Sequence, residues 1–223
     1  MTSVYYTFCK KLSNYEYTRA ISLLPIMMQR RARRYHRWQD SHAYLYGKLL
    51  LKYGLRQLGK DDSLMTMRKS KQGKPYFEDD SLSFNISHSG EYIVCAISHC
   101  HYKTIGIDIE EMKPVVFTDF DSVWSPQEKK EINSIEKFYR FWTRKEAIVK
   151  ADGRGLSIPL KTIDTTKLTV VVNNNTYYLS ELEIDRKYST HVATLGKVEK
   201  NNPINCVFIT AYALCDIYDS EML

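Results

Sequence analysis

The chain has 223 residues, with 32 Lys and Arg against 26 Asp and Glu, and therefore a formal net charge of +6. Charged residues make up 26% and hydrophobic residues 43% of the sequence, as in ordinary globular proteins, which excludes a wholly disordered chain. No apolar run approaches the roughly 20 residues that a transmembrane helix needs, and the first residues lack a secretion signal, so we expect a soluble cytoplasmic protein without a membrane partner.

The first half of the sequence predicts one strand, a long helical region and then a series of strands. Residues 4–8 alternate weakly between apolar and polar side chains and predict the first strand. Residues 14–58 have a helical pattern with a break near Pro25, because proline interrupts a helix. Gly73-Lys74-Pro75 indicates a turn. The following strands are expected at residues 82–86, 92–98 and 104–110.

The second half predicts two helices and then further strands. Ser125-Pro126-Gln127-Glu128 is a capping box with proline at the first helical position, so a helix begins there. A second helix, over residues 135–151, ends at Gly153, which supplies a left-handed cap. Residues 173–175 favour a hairpin turn. The remaining strands are expected at residues 156–159, 168–172, 177–179, 191–195 and 206–214.

Both halves of the sequence place helices before strands that look antiparallel. This order predicts an α+β fold made of two similar halves that meet near residue 104. Residues 1–104 would form the N-terminal half, with the basic helix, and residues 105–223 would form the C-terminal half.

Gly106-Ile107-Asp108-Ile109-Glu110 places two carboxylates on one side of a predicted strand. Side chains alternate across a strand, so Asp108 and Glu110 lie about 7 Å apart and the isoleucines face the other way. Carboxylates this close repel each other unless a cation lies between them, and Mg²⁺ prefers such oxygen ligands. The alternative is an ordinary half-exposed strand with acidic outer residues.

The helical segment 141–150 carries Trp142, Glu146 and Lys150 at i, i+4 spacing, so the three side chains share one face. As part of a site, Glu146 would be a third metal carboxylate and Lys150 a cation for a phosphate. As ordinary helix surface, the Glu/Lys pair would contribute only a few tenths of a kcal/mol.

Two further segments have the composition of phosphate contacts. Residues 84–90, FNISHSG, end a strand in hydroxyls, an imidazole and a glycine, which can face a phosphate or can form a plain hairpin turn. Five arginines within residues 30–37 either bind phosphates or nucleic acid, or form a solvated helix face.

In combination and in this order, FNISHSG at 84–90, GIDIE at 106–110 and FWTRKEAIVKADGRGL at 141–156 resemble the 4′-phosphopantetheinyl transferases. The resemblance is to the surfactin-synthetase-activating type, in which one chain contains two similar halves. GKP at 73–75 and the basic helix around Arg31 also resemble that family. This implies halves related by a pseudo-two-fold axis, with the active site between them.

Members of that family move the phosphopantetheine arm of coenzyme A onto a serine of an acyl or peptidyl carrier protein and release 3′,5′-ADP. The resemblance implies that Asp108, Glu110 and Glu146 hold Mg²⁺ against the coenzyme A diphosphate, and that Lys150 contacts a phosphate. Glu128 matches an acidic position lining the site. Glu146 is the first candidate for the base that takes the serine proton, directly or through a water, and Glu128 is the second.

The resemblance also implies contacts with the nucleotide end of coenzyme A. Ser87 and His88 match a pair that grips this end, with His88 near the 3′-phosphate. Lys74 and Arg31 match positions that pair with coenzyme A phosphates.

Two positions depart from the pattern of the family. Met28 stands where the closest type has a basic residue, so that charge is absent or supplied by Arg30. Tyr44 stands where a small hydroxyl residue contacts the nucleotide.

Two other functions are compatible with parts of the sequence. A nucleic-acid-binding protein would use the arginine-rich helix, with an affinity that falls steeply with salt. A Mg²⁺-dependent nuclease would use Asp108 and Glu110 but would leave the turn at residues 85–90 and the helical segment 145–150 without a joint role. The transferase uses all of these segments, so we favour it, with coenzyme A and a carrier protein as partners, no nucleic acid, and a monomeric state implied by the resemblance.

Overall fold

The computed structural model describes residues 2–79, 81–99, 104–196 and 203–216. The N-terminal half contains, in chain order, β1 (Thr2–Phe8), α1 (Asn14–Ser22), α2 (Ile26–Ala32), α3 (Trp38–Gln57), β2 (Arg68–Lys69), β3 (Pro75–Tyr76), β4 (Leu82–Ser89) and β5 (Tyr92–His99). It is followed by β6 (Ile105–Glu111), α4 (Pro126–Glu131), α5 (Ile135–Asp152), β7 (Thr169–Val172), β8 (Asn175–Glu181), β9 (Tyr188–Leu195), β10 (Asn205–Phe208) and α6 (Ala211–Asp216). The protein is a mixed α+β structure, as the sequence predicted.

The first sheet has the strand order β10-β1-β5-β4. β1 and β4 are antiparallel to β5, whereas β10 lies parallel to β1. One face of this sheet packs against α3, where Leu50 and Leu51 of the helix belong to the same buried cluster as Tyr5, Cys95 and Ile97 of the strands. In this strand order, β4 forms one edge of the sheet.

The second sheet has the order β6-β9-β8-β7, and all neighbouring strands are antiparallel. Helix α5 covers one face of it. A side chain at Gly106 would collide with the carbonyl oxygen of Ala147 and the backbone of Ala151, so the absence of a Cβ there lets the helix backbone approach β6 directly. This close approach fixes where the polar face of α5 lies over the strand.

The two sheets also pack against each other. Val4 and Val94 of the first sheet share a buried cluster with Ile107, Ile109 and Val192 of the second. The isoleucines of β6 therefore point towards the first sheet, and the alternate residues point towards α5.

A row of polar side chains joins the adjoining edges of the two sheets. Three side chains of β4 accept hydrogen bonds from backbone N–H groups of β6: Ser83 from Ile105 (3.0 Å), Asn85 from Ile107 (2.9 Å) and Ser89 from Glu111 (3.1 Å). These bonds satisfy edge amides that would otherwise be buried without partners. They hold β4 and β6 in a fixed register.

Several turn and cap predictions are confirmed. Helix α1 ends before Pro25, which precedes α2. Gly153 caps α5 in the left-handed region, with φ of 85°. Asn173 and Asn174 have positive φ values of 48° and 64° in the hairpin between β7 and β8.

Other element predictions were wrong. The helical region has a second break between Ala32 and Trp38, so it forms three helices. The strand expected at 156–159 is replaced by a short 3₁₀ turn, Gly155–Ser157, which begins at a glycine with a left-handed φ of 62° instead of an extended backbone.

The C-terminal segment returns to the first sheet. The strand expected over 206–214 ends at Phe208, and α6 begins at Ala211. Since β10 pairs with β1 and α6 packs on α3, residues 205–216 complete the N-terminal half rather than the C-terminal one. None of the helices in the described ranges is both long and apolar enough to cross a membrane.

Candidate active site

A cavity of ≈ 310 Å³ lies where the two halves meet. It is lined by β4, β6 and α5 through Ile86, Ser87, His88, Asp108, Glu110, Trp142, Glu146 and Lys150. We refer to it as the acidic cavity. It brings together six side chains to which the sequence assigned a role, Ser87, His88, Asp108, Glu110, Glu146 and Lys150, from segments that are far apart along the chain.

Strand alternation and helix periodicity place the charged groups. Asp108 and Glu110 lie on the face of β6 that α5 covers, while Glu146 and Lys150 are one turn apart on α5. Asp108 is only 2% exposed and Glu110 is half-buried. The strand is therefore covered on both faces, which excludes the half-exposed surface strand that the sequence left open.

Lys150 and Ser87 both contact the buried carboxylate of Asp108. The Lys150 ammonium lies 2.5 Å from Oδ1 of Asp108 and donates to Oγ of Ser87 at 2.8 Å. The Ser87 hydroxyl in turn donates to the same Oδ1 at 3.0 Å. Ser87, expected to grip a nucleotide, thus also orients Asp108 across the junction between the halves.

Ser89 makes the equivalent contact with the second carboxylate of β6. Its hydroxyl donates to Oε2 of Glu110 at 2.7 Å. The sequence analysis gave Ser89 no individual role. The signal was present in the polar alternation of β4, where Ser83, Asn85, Ser87 and Ser89 share the face towards β6.

The three carboxylates of the acidic cavity are destabilised as anions. Burial raises the pKa of Asp108, and the Lys150 ammonium only partly opposes this. Burial also raises the pKa of Glu110 and of Glu146, and the Asp108 charge raises the pKa of Glu146 further. The cavity therefore gains electrostatically from an additional cation.

The donor set fits a hard divalent cation. Oδ2 of Asp108 is buried and has no hydrogen-bond partner among the described residues. Glu110 and Glu146 line the same cavity, and carboxylate oxygens are the ligands that Mg²⁺ prefers. The three carboxylates are not yet arranged around a common point. In the described residues, no group of three His, Cys, Asp or Glu side chains is close enough together to coordinate a metal ion. Lys150 occupies Oδ1 of Asp108 instead.

A larger cavity of ≈ 480 Å³ adjoins the acidic cavity, and the two share Ile86 and His88. We refer to it as the basic cavity, because Arg31, Lys48 and Lys69 line it together with a single carboxylate, Asp40. Burial and the Lys150 charge lower the pKa of His88. The side chain of His88 links the two cavities.

The two positions that depart from the family pattern both line the basic cavity. Met28 and Tyr44 belong to its walls. Arg30 is exposed and does not line either cavity in the described structure, so it does not supply the charge missing at Met28.

Lys74 is held away from both cavities. Its ammonium donates to the carbonyl oxygen of Ala151 at 2.7 Å and to that of Ile105 at 3.5 Å. It lines a separate cavity with Asp152 and Arg154. The structure therefore does not bring Lys74 to the expected phosphate contact, because its side chain binds the C-terminal end of α5.

Glu128 is also absent from the acidic cavity, which corrects its assignment as a lining residue and second candidate base. It is 0% exposed, and Oε2 pairs with the Lys145 ammonium at 2.7 Å. Oε2 also accepts from the backbone of Ser125, and Oε1 accepts from the backbone N–H and hydroxyl of Thr165. With both oxygens occupied by structural partners, Glu128 joins α4 to α5 and is not available as a base.

The fold and the two cavities define a class: an α+β enzyme that places carboxylates and a lysine beside a basic pocket suited to a phosphorylated donor. Two family descriptions match the chain. The "4′-phosphopantetheinyl transferase superfamily" matches residues 104–203, and "4′-phosphopantetheinyl transferase, N-terminal" matches residues 11–100.

Individual relatives lead to the same family. A 4′-phosphopantetheinyl transferase of Bacillus subtilis is 33% identical over 159 residues, covering 68% of this chain and 70% of the relative. The transferase Sfp of B. subtilis strain 168 is 29% identical over 198 residues, covering 82% and 87%. The transferase gsp of Aneurinibacillus migulanus is 34% identical over 149 residues, covering 62% and 61%. The chain belongs to the 4′-phosphopantetheinyl transferases, and its resemblance to the surfactin-synthetase-activating type is confirmed.

Proposed function

We propose that this chain transfers the phosphopantetheine arm of coenzyme A to a serine hydroxyl of an acyl or peptidyl carrier protein. The observation that carries the proposal is the adjacency of the two cavities through His88. Carboxylates and Lys150 line one cavity, and three cationic side chains line the other. A donor with a diphosphate next to a charged nucleotide matches this division.

We propose that Asp108, Glu110 and Glu146 hold Mg²⁺ at the donor diphosphate. Two observations support this assignment: Oδ2 of Asp108 has no hydrogen-bond partner in the described part of the chain, and the pKa values of all three carboxylates are raised. The bound ion would polarise the diphosphate and neutralise charge on the leaving group.

Lys150 would stabilise the phosphate under attack. Its ammonium already lies inside the acidic cavity, held by Asp108 and Ser87. A preorganised cation at a phosphoryl centre stabilises negative charge without reorganisation during the reaction. Ser87 and His88 would position the nucleotide side of the donor, and Arg31 would pair with one of its phosphates from the basic cavity.

The transfer exchanges the phosphoanhydride bond of the donor diphosphate for a phosphoester bond to the carrier serine. The carrier serine oxygen bonds to the phosphorus that carries the pantetheine arm, and the bond from that phosphorus to the bridging oxygen breaks. The electron pair leaves with 3′,5′-ADP. Glu146 would accept the serine proton, because it lines the acidic cavity and burial raises its pKa, which makes it a stronger base than an exposed glutamate.

We further propose that the two halves are related by a pseudo-two-fold axis and that the enzyme acts as a monomer in the cytoplasm. Each half has a four-stranded sheet covered by one long helix, and one chain lines both cavities. In the described residues Cys9, Cys95, Cys206 and Cys215 form no disulfide, which suits a reducing compartment.

The proposed function is tested by incubating a panel of apo acyl and peptidyl carrier proteins with coenzyme A, Mg²⁺ and this enzyme. Mass spectrometry should show a gain of about 340 Da on at least one carrier, corresponding to transfer of the whole arm, and no gain when the metal is chelated. A carrier whose acceptor serine is replaced by alanine is the control. Unchanged masses across the panel would contradict the proposal.

A further inference from the structure

Lys48 is a buried lysine that has no anionic partner among the described residues. It lies on α3, is 7% exposed, and lines the basic cavity. Its only hydrogen-bond partner among the described residues is the sulfur of Met67, at 3.9 Å. Burial of an ammonium group without a paired anion costs free energy, so such a group needs an explanation.

The other two buried lysines of the described chain are paired. Lys52, one helical turn from Lys48, lies 3.4 Å from the carboxylate of Asp62 and donates to its backbone carbonyl oxygen at 2.7 Å. Lys145 pairs with Glu128. Lys48 is therefore the exception. Lys48 and Lys52 are both buried on α3, so burial of the helix alone does not explain why only Lys52 is paired with a carboxylate.

The surroundings of Lys48 are deficient in negative charge. The Lys48 ammonium and the Arg31 guanidinium both lie over the ring of Tyr44, at 5.6 Å and 5.3 Å from its centroid. Burial lowers the pKa of Lys48 to about 8; Cys95 opposes this shift, while Arg31 and Lys69 add to it. A bound anion would relieve the burial cost and the mutual repulsion of these cations.

The position of the basic cavity limits which anion fits. It adjoins the acidic cavity at Ile86 and His88. A donor whose diphosphate lies in the acidic cavity would extend its nucleoside into the basic cavity. On that end of coenzyme A, the ionised group is the phosphate monoester of the ribose.

We propose that Lys48 is a specificity-determining residue that binds the ribose 3′-phosphate of the donor and thereby supplies the positive charge that Met28 does not. This inference rests on the proposed function, since it assumes coenzyme A as the donor. It assigns to α3 a role in distinguishing coenzyme A from donors that lack the monoester.

The test is calorimetric titration of the full chain with coenzyme A and with 3′-dephospho-coenzyme A. The wild type should bind coenzyme A more tightly. In Lys48→Met, affinity for coenzyme A should fall by about 10- to 100-fold, as expected for a lost hydrogen bond between charged groups, while affinity for the dephospho form should change by less than about threefold. Lys52→Met is the matched control and should keep the wild-type ratio of the two affinities.

Equal losses for both ligands in Lys48→Met, or an unchanged preference for coenzyme A, would overturn the inference while leaving the proposed function intact. If the wild type binds neither ligand, the proposed function fails and the inference fails with it. If Lys48→Met does not fold, Lys48→Gln is measured in its place, together with the wild-type ratio of the affinities for coenzyme A and 3′-dephospho-coenzyme A. A wild-type ratio near one contradicts the inference.

Discussion

The ammonium of Lys150 lies 2.5 Å from Oδ1 of Asp108, while Oδ2 of the same carboxylate is buried without a partner among the described residues. One oxygen is therefore neutralised within the chain and the other is not. Lys150 cannot neutralise Asp108, Glu110 and Glu146 together, because one ammonium faces three carboxylates in the acidic cavity. This asymmetry is the reason why we propose a cation at Asp108.

Replacement of this carboxylate should separate activity from stability. Asp108→Ala should reduce phosphopantetheine transfer by about 100-fold or more, because an electrostatic contact at the reacting diphosphate is lost. The fold should survive, since burial raises the pKa of Asp108 and the carboxylate is therefore not a net source of stability at neutral pH. The measurements are carrier loading by mass spectrometry and thermal unfolding. Asp121→Ala, at an exposed position, is the control, and loading by Asp108→Ala at the control rate would refute the assignment.

Glu128 should behave as a structural residue. Glu128→Gln breaks a buried ion pair with Lys145 and should reduce the free energy of unfolding by about 3–5 kcal/mol, since it leaves an ammonium without its anion. The double variant Glu128→Gln/Lys145→Met should regain part of that loss in chemical denaturation. At a temperature where Glu128→Gln is folded, its kcat should stay within about threefold of the wild type. A large loss of kcat without a loss of stability would show that Glu128 acts in catalysis.

Gly106 should control the position of α5. A methyl group there meets the helix backbone at Ala147, so Gly106→Ala should cost about 1–3 kcal/mol and displace the helix that carries Glu146 and Lys150. The rate of phosphopantetheine transfer should also fall in Gly106→Ala. Gly54→Ala is the comparison, because the three atoms nearest to its Cβ belong to the side chains of Tyr5 and Ile97, and it should retain wild-type kcat. Full activity and stability in Gly106→Ala would mean that α5 does not pack as described.

Lys48 should make stability depend on pH. Its pKa is about 8 in the folded chain and near 10.5 when unfolded, so the unfolded state binds more protons between these values and stability rises with pH. Lys48→Met removes this penalty and should stabilise the protein by up to about 3 kcal/mol at pH 7. The advantage should shrink by about 2 kcal/mol at pH 9.5. Urea denaturation of both proteins at the two pH values measures this difference in the free energy of unfolding. A difference that does not depend on pH would contradict a buried charge at Lys48.

Local patterns in the sequence predicted the parts of the site that depend on a single element. Period-two alternation placed Asp108 and Glu110 on one face of β6, and helical spacing placed Glu146 and Lys150 together on α5. The left-handed cap at Gly153 followed from the same kind of local rule. These predictions succeeded because strand and helix geometry fix the direction of each side chain relative to its neighbours.

Tertiary packing decided what the local patterns could not. In the sequence, Glu128 is recognisable only as a capping-box residue. Its carboxylate is buried because α5 packs against α4 and places Lys145 beside it. Lys74 lies in a turn whose path takes its side chain to the end of α5. The sequence did not distinguish Lys48 from the other lysines of a long helix, because local sequence does not indicate which face of a helix lines a cavity.

The central claim is that the acidic cavity binds one divalent cation. Electron paramagnetic resonance of Mn²⁺, titrated into the protein with coenzyme A present, measures this without relying on turnover. We expect one bound Mn²⁺ ion per chain in the wild type, displaced by Mg²⁺, and no bound ion in Asp108→Ala. Equal binding by both proteins, or no bound ion in the wild type, would contradict it.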